Sequence, residues 1–221
     1  MTSTPLLDGP RVAPSAGGAP RSLVILLHGY GSNGEDLISL APYWQGALPH
    51  TAFVSPNAPE RGPGAPGGYQ WWGITGLDPN ARAAGAARAA PVLDAFNDAE
   101  LARTGLTEAN LALVGFSQGT MMALHVGPAR VAAVAGIVGY SGMLADAQAL
   151  AIARSRPPIL LVHGDADPMI PVSAFHQAKT ALVGAGFDVQ SHVSPGLAHS
   201  IDMPGLQLGG AFLARVLADR G

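Results

Sequence analysis

Short, unbroken apolar runs, spaced by helix-patterned and turn-rich segments, are what most restrict the fold of this chain. Ser22–Leu27 (SLVILL) is apolar at nearly every position, too continuous for a strand with one wet face. Further strands are expected at Thr51–Ser55, Leu111–Gly115, Val131–Tyr140, Pro158–Val162 and Asp188–Val193. Helical spacing falls between them, at Glu35–Trp44 (ending near Pro49), Ala81–Thr104, Gln118–Val126, Ser173–Ala185 and Gly205–Asp219. Pro91 predicts a kink or a fresh first turn inside the second of these. Strand–helix alternation of this kind implies an α/β fold, a central, mostly parallel sheet with helices on both faces. One domain over residues 1–221 is expected at this length. Residues 1–20 mix Pro, Gly and polar residues and are expected to form a loop or an edge strand.

Composition removes several functions. There is no cysteine, so disulfides, thiolate catalysis, Cys-ligated zinc and iron–sulfur clusters are excluded. Twelve basic against 15 acidic residues give a net charge of −3, which offers no basic surface for nucleic acid. Eleven of the basic residues are Arg, a compositional bias without functional weight. The longest apolar run, Val131–Tyr140, is far short of the ~20 residues of a membrane helix, and no integral membrane association is expected. The N-terminus lacks the basic-then-apolar pattern of a signal peptide, so a cytoplasmic protein is expected. A homodimer is left open. The stretch Pro56–Pro79, rich in Pro and Gly, holds the adjacent Trp71 and Trp72; loops this long inside a compact domain are usually functional.

In sheets of this kind chemistry sits on loops at the carboxyl ends of strands. Gly115-Phe116-Ser117-Gln118-Gly119 is a G-x-S-x-G between an apolar strand and a helix. That context puts Ser117 on a sharp, strained turn with its hydroxyl above the sheet, small residues on either side permitting the close packing. The amide of Gln118, at the helix N-terminus, can then face a developing oxyanion. A serine nucleophile needs a base and an orienter, here in the order Ser, acid, His. Of the later histidines, His125 and His176 fall within helices, and His163 and His192 at strand ends. His199 lies in the loop SPGLAHSID after the last strand, free to swing over the sheet, with His163 as the rival. For the acid, Asp165 and Asp167 both lie in HGDADPMIP, and Asp146 is a third candidate. Asp165 sits nearer the strand and suits an Asx turn, whereas Asp167 precedes Pro168 and is biased to extended backbone. Spacing alone leaves the choice open.

A second oxyanion donor is expected from Leu27-His28-Gly29-Tyr30-Gly31, where glycines flanking Tyr30 free its amide to turn inward. The Tyr30 ring, with Trp71 and Trp72, is expected to wall the substrate cleft. The same loop also matches G-x-G-x-x-G (Gly29–Gly34), the dinucleotide fingerprint. That fingerprint needs an acid at the end of the next strand, and the chain there reads Ser55-Pro56-Asn57, so a nucleotide-binding oxidoreductase is a remote alternative. Seven histidines without ligand spacing predict no metal. No cofactor is expected.

With LHGYG, GFSQG, HGDADPMIP and GLAHS in this order, from about Leu26 to Ser200, the chain resembles the phospholipase/carboxylesterase family of α/β-hydrolases. That family includes bacterial carboxylesterases and acyl-protein thioesterases. The resemblance implies an α/β-hydrolase fold without a cap, Ser117 as nucleophile, Asp167 as acid and His199 as base. It also implies the amides of Tyr30 and Gln118 as the oxyanion hole and a carboxylic ester as substrate. Because 221 residues leave little beyond the core elements to enclose a long chain, a small-molecule ester of short to medium acyl chain is expected. Thioesters or lysophospholipids are the alternative with the same triad. Two departures touch the expected cleft: Tyr30, where better-known members carry Leu, and the longer stretch Gly62–Gly68.

Overall fold

The computed structural model describes residues 7–62, 67–74 and 78–218. Its main sheet has seven strands: β1 (Arg11–Val12), β2 (Ser22–Leu27), β3 (Thr51–Val54), β6 (Leu111–Phe116), β7 (Gly136–Tyr140), β8 (Ile159–Gly164) and β9 (Val189–Ser194). Their order is β1-β3-β2-β6-β7-β8-β9. Every pairing is parallel except β1 with β3, which closes one edge antiparallel. The helices are α1 (Gly34–Ile38), α2 (Ala41–Trp44), α3 (Pro79–Thr104), α4 (Gln118–Ala129), α5 (Val172–Gly184) and α6 (Met203–Leu217).

The unbroken apolar runs are explained by two cores, one on each face of the sheet. Successive strand side chains point to opposite faces, so Leu23, Ile25 and Leu27 of β2 enter the core that also holds Leu93 and Phe96 of α3, Met122 of α4 and Phe175 of α5. Val24 and Leu26 enter the other, with Leu37 of α1, Trp44 of α2 and Phe212 of α6. A strand with both faces covered has no polar positions to spare.

Several boundaries differ from expectation for local reasons. The helix expected over Glu35–Trp44 is two short ones, α1 and α2. Ser39 closes α1 with its hydroxyl on Asp36 O, and Pro42, at the second position of α2, has no N–H to continue a helix from Ile38. The strand expected from Val131 begins only at Gly136. Pairing starts where Ala135 N reaches Leu111 O; Leu111 is the first residue of β6, so earlier residues have no neighbour, and Val131 is 67% exposed. Pro91 stays inside one continuous α3. Within the expected loop, β4 (Glu60–Arg61) and β5 (Tyr69–Gln70) form a small antiparallel hairpin. Part of the departure at Gly62–Gly68 and the end of the last helix at Asp219 lie outside the described residues.

The elbow between β6 and α4 is the tightest point. A Cβ on Gly119 would fall on the carbonyl oxygen of Leu27, and one on Gly115 on the backbone of Gly119 and Thr120. Arg130, just past α4, fastens its far end by pairing with Asp94 and Asp98 of α3 and with Glu108. Because backbone cannot yield as a side chain can, Gly119→Ala is expected to cost about 3 kcal/mol or more, read as a lower urea midpoint at unchanged slope.

Candidate active site

At the end of β6 the chain turns through Ser117 at φ 54°, ψ −114°, a backbone conformation that side chains rarely adopt and that persists only where the surroundings impose it. Here Ser117 N donates to Tyr140 O of β7 at 2.9 Å and Met121 N to Ser117 O at 3.2 Å. Ser117 is the N-cap of α4, yet its hydroxyl caps no amide of that helix. The residue is half-buried at the elbow.

Asp167 and His199 come together from loops 32 residues apart. His199 Nδ1 lies 2.7 Å from Asp167 Oδ2, while Asp167 Oδ1 accepts from Met169 N and Ile170 N at 2.8 and 2.9 Å. Desolvation pushes the Asp167 carboxyl up; the bonds from His199, Ile170 and Met169 outweigh it and hold the group below the ordinary carboxylate range. An ionised carboxylate can only accept, so the proton of a neutral His199 sits on Nδ1 and Nε2 keeps its lone pair. The ring packs on that of Phe116, centroids 4.9 Å apart, which sets it beside the residue preceding Ser117. The Asp167 side chain is fully buried, whereas that of His199 is 20% exposed.

Of the rival candidates, His163 lies against the same carboxylate, its Nε2 3.5 Å from Asp167 Oδ2, and the two aspartates bond elsewhere. His163 is buried beneath the pair, with Nε2 2.8 Å from Ile170 O. Asp165 Oδ1 accepts from Gly196 N at 2.6 Å, a bond across 31 residues rather than the local Asx turn expected, and ties the His199 loop to the end of β8. Asp146 accepts from Gln148 N.

On the other side of the elbow, Gly31 N donates to Tyr69 O, Ser32 N to Gly29 O, and Gly34 N to Asn57 Oδ1. These three amides of the G-x-G-x-x-G stretch are engaged within the protein and are not free to cradle a pyrophosphate. Among the described residues Tyr30 N meets no backbone acceptor, and its side chain is half-buried. Among the same residues no group of three or more His, Asp or Glu side chains could hold a metal.

Trp71 and Trp72, expected to wall the cleft, pack inward. Both are interior, 1% and 4% exposed. Trp71 Nε1 donates to His28 O at 3.0 Å. Trp72 fills the space that Gly85 leaves on α3, where a Cβ would strike the indole. The side chain of Gln118 grips their backbone, accepting from Trp71 N and donating to Trp72 O, both at 2.9 Å. Large indoles gain more from burial than from lining an open cleft, and the loop carrying them is fastened to fit.

Two contributors have no signal in the sequence. The Gln118 side chain is one, since only its amide follows from the motif. The other is His28, whose Nε2 accepts from Ala58 N at 3.0 Å, so that Nδ1–H donates to Gly29 O at 2.8 Å. Burial pushes the His28 pKa down against a rise from that Gly29 bond and from Asp36, and the neutral ring braces the Tyr30 loop.

A strand–elbow–helix serine on a mostly parallel sheet, with an Asp–His pair on later strand-end loops, defines an α/β-hydrolase. The family model described as phospholipase/carboxylesterase matches residues 9–217, and the chain belongs to that family. Esterase YpfH of Escherichia coli is 28% identical over 85% of this chain and 79% of its own. Acyl-protein thioesterase 1 of Kluyveromyces lactis is 30% identical over 96% and 98%. The crystal structure of esterase PE8 superimposes with a TM-score of 0.91 at 43% identity, covering 96% of this chain and 100% of that one. The chain is thereby a carboxylic ester hydrolase by class. No described helix is long and apolar enough to cross a membrane.

Two expectations follow from these packing and charge relations. Trp72→Ala should cost about 3–5 kcal/mol through the cavity it leaves, measured by chemical denaturation. Asp167, with its pKa lowered on folding, contributes stability that is present above the unfolded carboxylate value of about 4 and is lost as pH falls through the folded value. The gap in melting temperature between wild type and Asp167→Asn should therefore be open at pH 6 and close as pH drops below about 4.

Proposed function

We propose that this chain is a serine carboxylesterase acting on small esters of short to medium acyl chain through an acyl-enzyme. The observation that carries the proposal is the buried Asp167 bonded to His199 at 2.7 Å, with that imidazole packed against the residue before the strained Ser117. In this proposal His199 Nε2 takes the proton of Ser117 Oγ as the oxygen attacks the ester carbonyl. The amides of Tyr30 and Gln118 receive the oxyanion, and Asp167 stabilises the imidazolium that forms. The C–O bond to the alcohol breaks as His199 returns the proton, leaving the acyl group on Ser117. Water, deprotonated by His199, then releases the acid.

Chain-length preference follows from what is available as wall. Both Trp are interior, and Tyr30 and Phe116 are half-buried aromatics at the elbow. A depression of about 390 Å³ lies at the opposite ends of β2 and β3, lined by Arg21, His50 and Leu217 among others, away from Ser117. Each added methylene contributes about 0.8 kcal/mol only while it is covered, so kcat/KM should rise over the first carbons, level off, and fall for long chains. The thioesterase names among the relatives favour a second reading with the same triad. A steady climb in kcat/KM to sixteen-carbon acyl groups, or faster turnover of acyl thioesters, would move the assignment to it.

A fluorophosphonate probe should label wild type at Ser117 and leave Ser117→Ala unlabelled; labelling that survives the substitution refutes the nucleophile. Asp167→Asn should lower kcat by about 10³- to 10⁴-fold, since the orienter of the imidazole is lost. Asp165→Asn, which loosens only a loop contact, should cost far less.

A further inference from the structure

Ser117 is not alone in its backbone conformation. Among the described residues one other side-chain-bearing residue has positive φ, Ser141 at 45°. It follows the last residue of β7 and is fully buried. Glycine would take this conformation without strain, and glycine follows at 142. What serine has there and glycine lacks is the Oγ–H, which donates to Ser200 O at 3.0 Å.

Ser200 is the residue after His199. Its N–H donates to Ala198 O at 2.9 Å, which closes a three-residue turn with His199 at its centre. Upstream, the loop is held to the end of β8 by Asp165 N on Ser194 O, Ala166 N on Leu197 O, and Gly196 N on Asp165 Oδ1. Downstream, Asp202 caps α6. Among the described residues no hydrogen bond other than that of Ser141 ties the backbone of 199–201 to the sheet.

The other end of the same dipeptide holds the nucleophile. Tyr140 O accepts from Ser117 N at 2.9 Å and from Thr120 Oγ1 at 2.8 Å, while Ser141 N donates to Val162 O of β8 at 2.9 Å. Two adjacent residues at the end of β7 thus grip the elbow with one carbonyl and the turn of His199 with one hydroxyl. Strained backbone of this kind collects where a fixed geometry is needed.

We infer that Ser141 is a positioning residue for His199, setting the distance between the imidazole and Ser117 through its bond to Ser200 O. The inference rests on the proposed role of His199 as base to Ser117. Misplacing a proton acceptor by a fraction of an ångström lowers the chemical step without weakening substrate binding. The role is therefore visible as a split between kcat and KM.

The test uses the full chain with Ser141→Ala and Ser141→Gly, a p-nitrophenyl butyrate assay, the rate of fluorophosphonate labelling, and thermal melts. Both variants should lose about 10- to 100-fold in kcat with KM within about twofold, and labelling should slow by the same factor. Ser141→Gly, relieved of strain, should melt at or above Ser141→Ala. A folded variant with wild-type kcat and labelling rate overturns the inference, as does a rise in KM at constant kcat. Failure of both variants to fold overturns it too, because Ser141 would then be a residue of stability alone. The underlying reading fails separately, if wild type is not labelled or is labelled elsewhere than Ser117. Wild type labelled at Ser117 with unaffected Ser141 variants refutes only the positioning role.

Discussion

The rest of the structure depends on how closely α4 approaches the end of β2. At Gly119 there is no room for a single methyl group, because the Leu27 carbonyl occupies its place. That approach lets the chain leave β6, reverse through a strained Ser117 and start a helix at once. It also brings the first amide of that helix next to the loop after β2, so the strand ends that carry Tyr30 and Gln118 meet at one point. A longer turn would relax Ser117 and separate them. Strain at the elbow is sustained by the interlocked cores on both sheet faces, which leave the backbone no cheaper path.

Around that point the loops are held by hydrogen bonds between residues far apart in the chain. Trp71 and Gln118 lock the β5 loop to the elbow, and His28 braces the Tyr30 loop from within. Asp165 and Ala166 hold the His199 loop from β8, and Ser141 holds it from β7. Geometry held by buried, mutually satisfied polar groups needs no reorganisation when charge develops, the condition under which oriented amides and imidazoles act most strongly. The electrostatics are consistent with this. Desolvation works against the Asp167 charge, but three hydrogen bonds outweigh it, so the carboxylate stays ionised and the imidazole keeps one tautomer.

Much of the fold was legible because its signals are local. A strand buried on both faces must be apolar at each position, and Ser22–Leu27 or Leu111–Phe116 could hardly read otherwise. Gly-x-Ser-x-Gly after such a run dictates an elbow by sterics alone, and its place in the alternation puts later loops above the same sheet edge. The candidate triad follows from that topology, with the resemblance needed to choose Asp167 over Asp165, since two aspartates two residues apart look alike until one is seen to bond an imidazole.

What only the tertiary structure decided is where each residue's partner lies. Val131–Val134 have strand character, but β6 begins at Leu111, whose carbonyl is reached first by Ala135 N, so they have no neighbour and β7 starts at Gly136. Trp71 and Trp72 have the composition of a cleft wall and are interior, because Gly85, His28 and Gln118, at distances of 13 to 47 residues along the chain, shape a place for them. Ser141 carries no mark in the sequence, its conformation being imposed by strands on either side and its hydroxyl bond made to a residue 59 positions away. Apolar periodicity and turn chemistry are properties of neighbours in the chain, which a sequence states outright. Packing and long-range hydrogen bonds are properties of neighbours in space, and these exist only once the sheet has set its order and register.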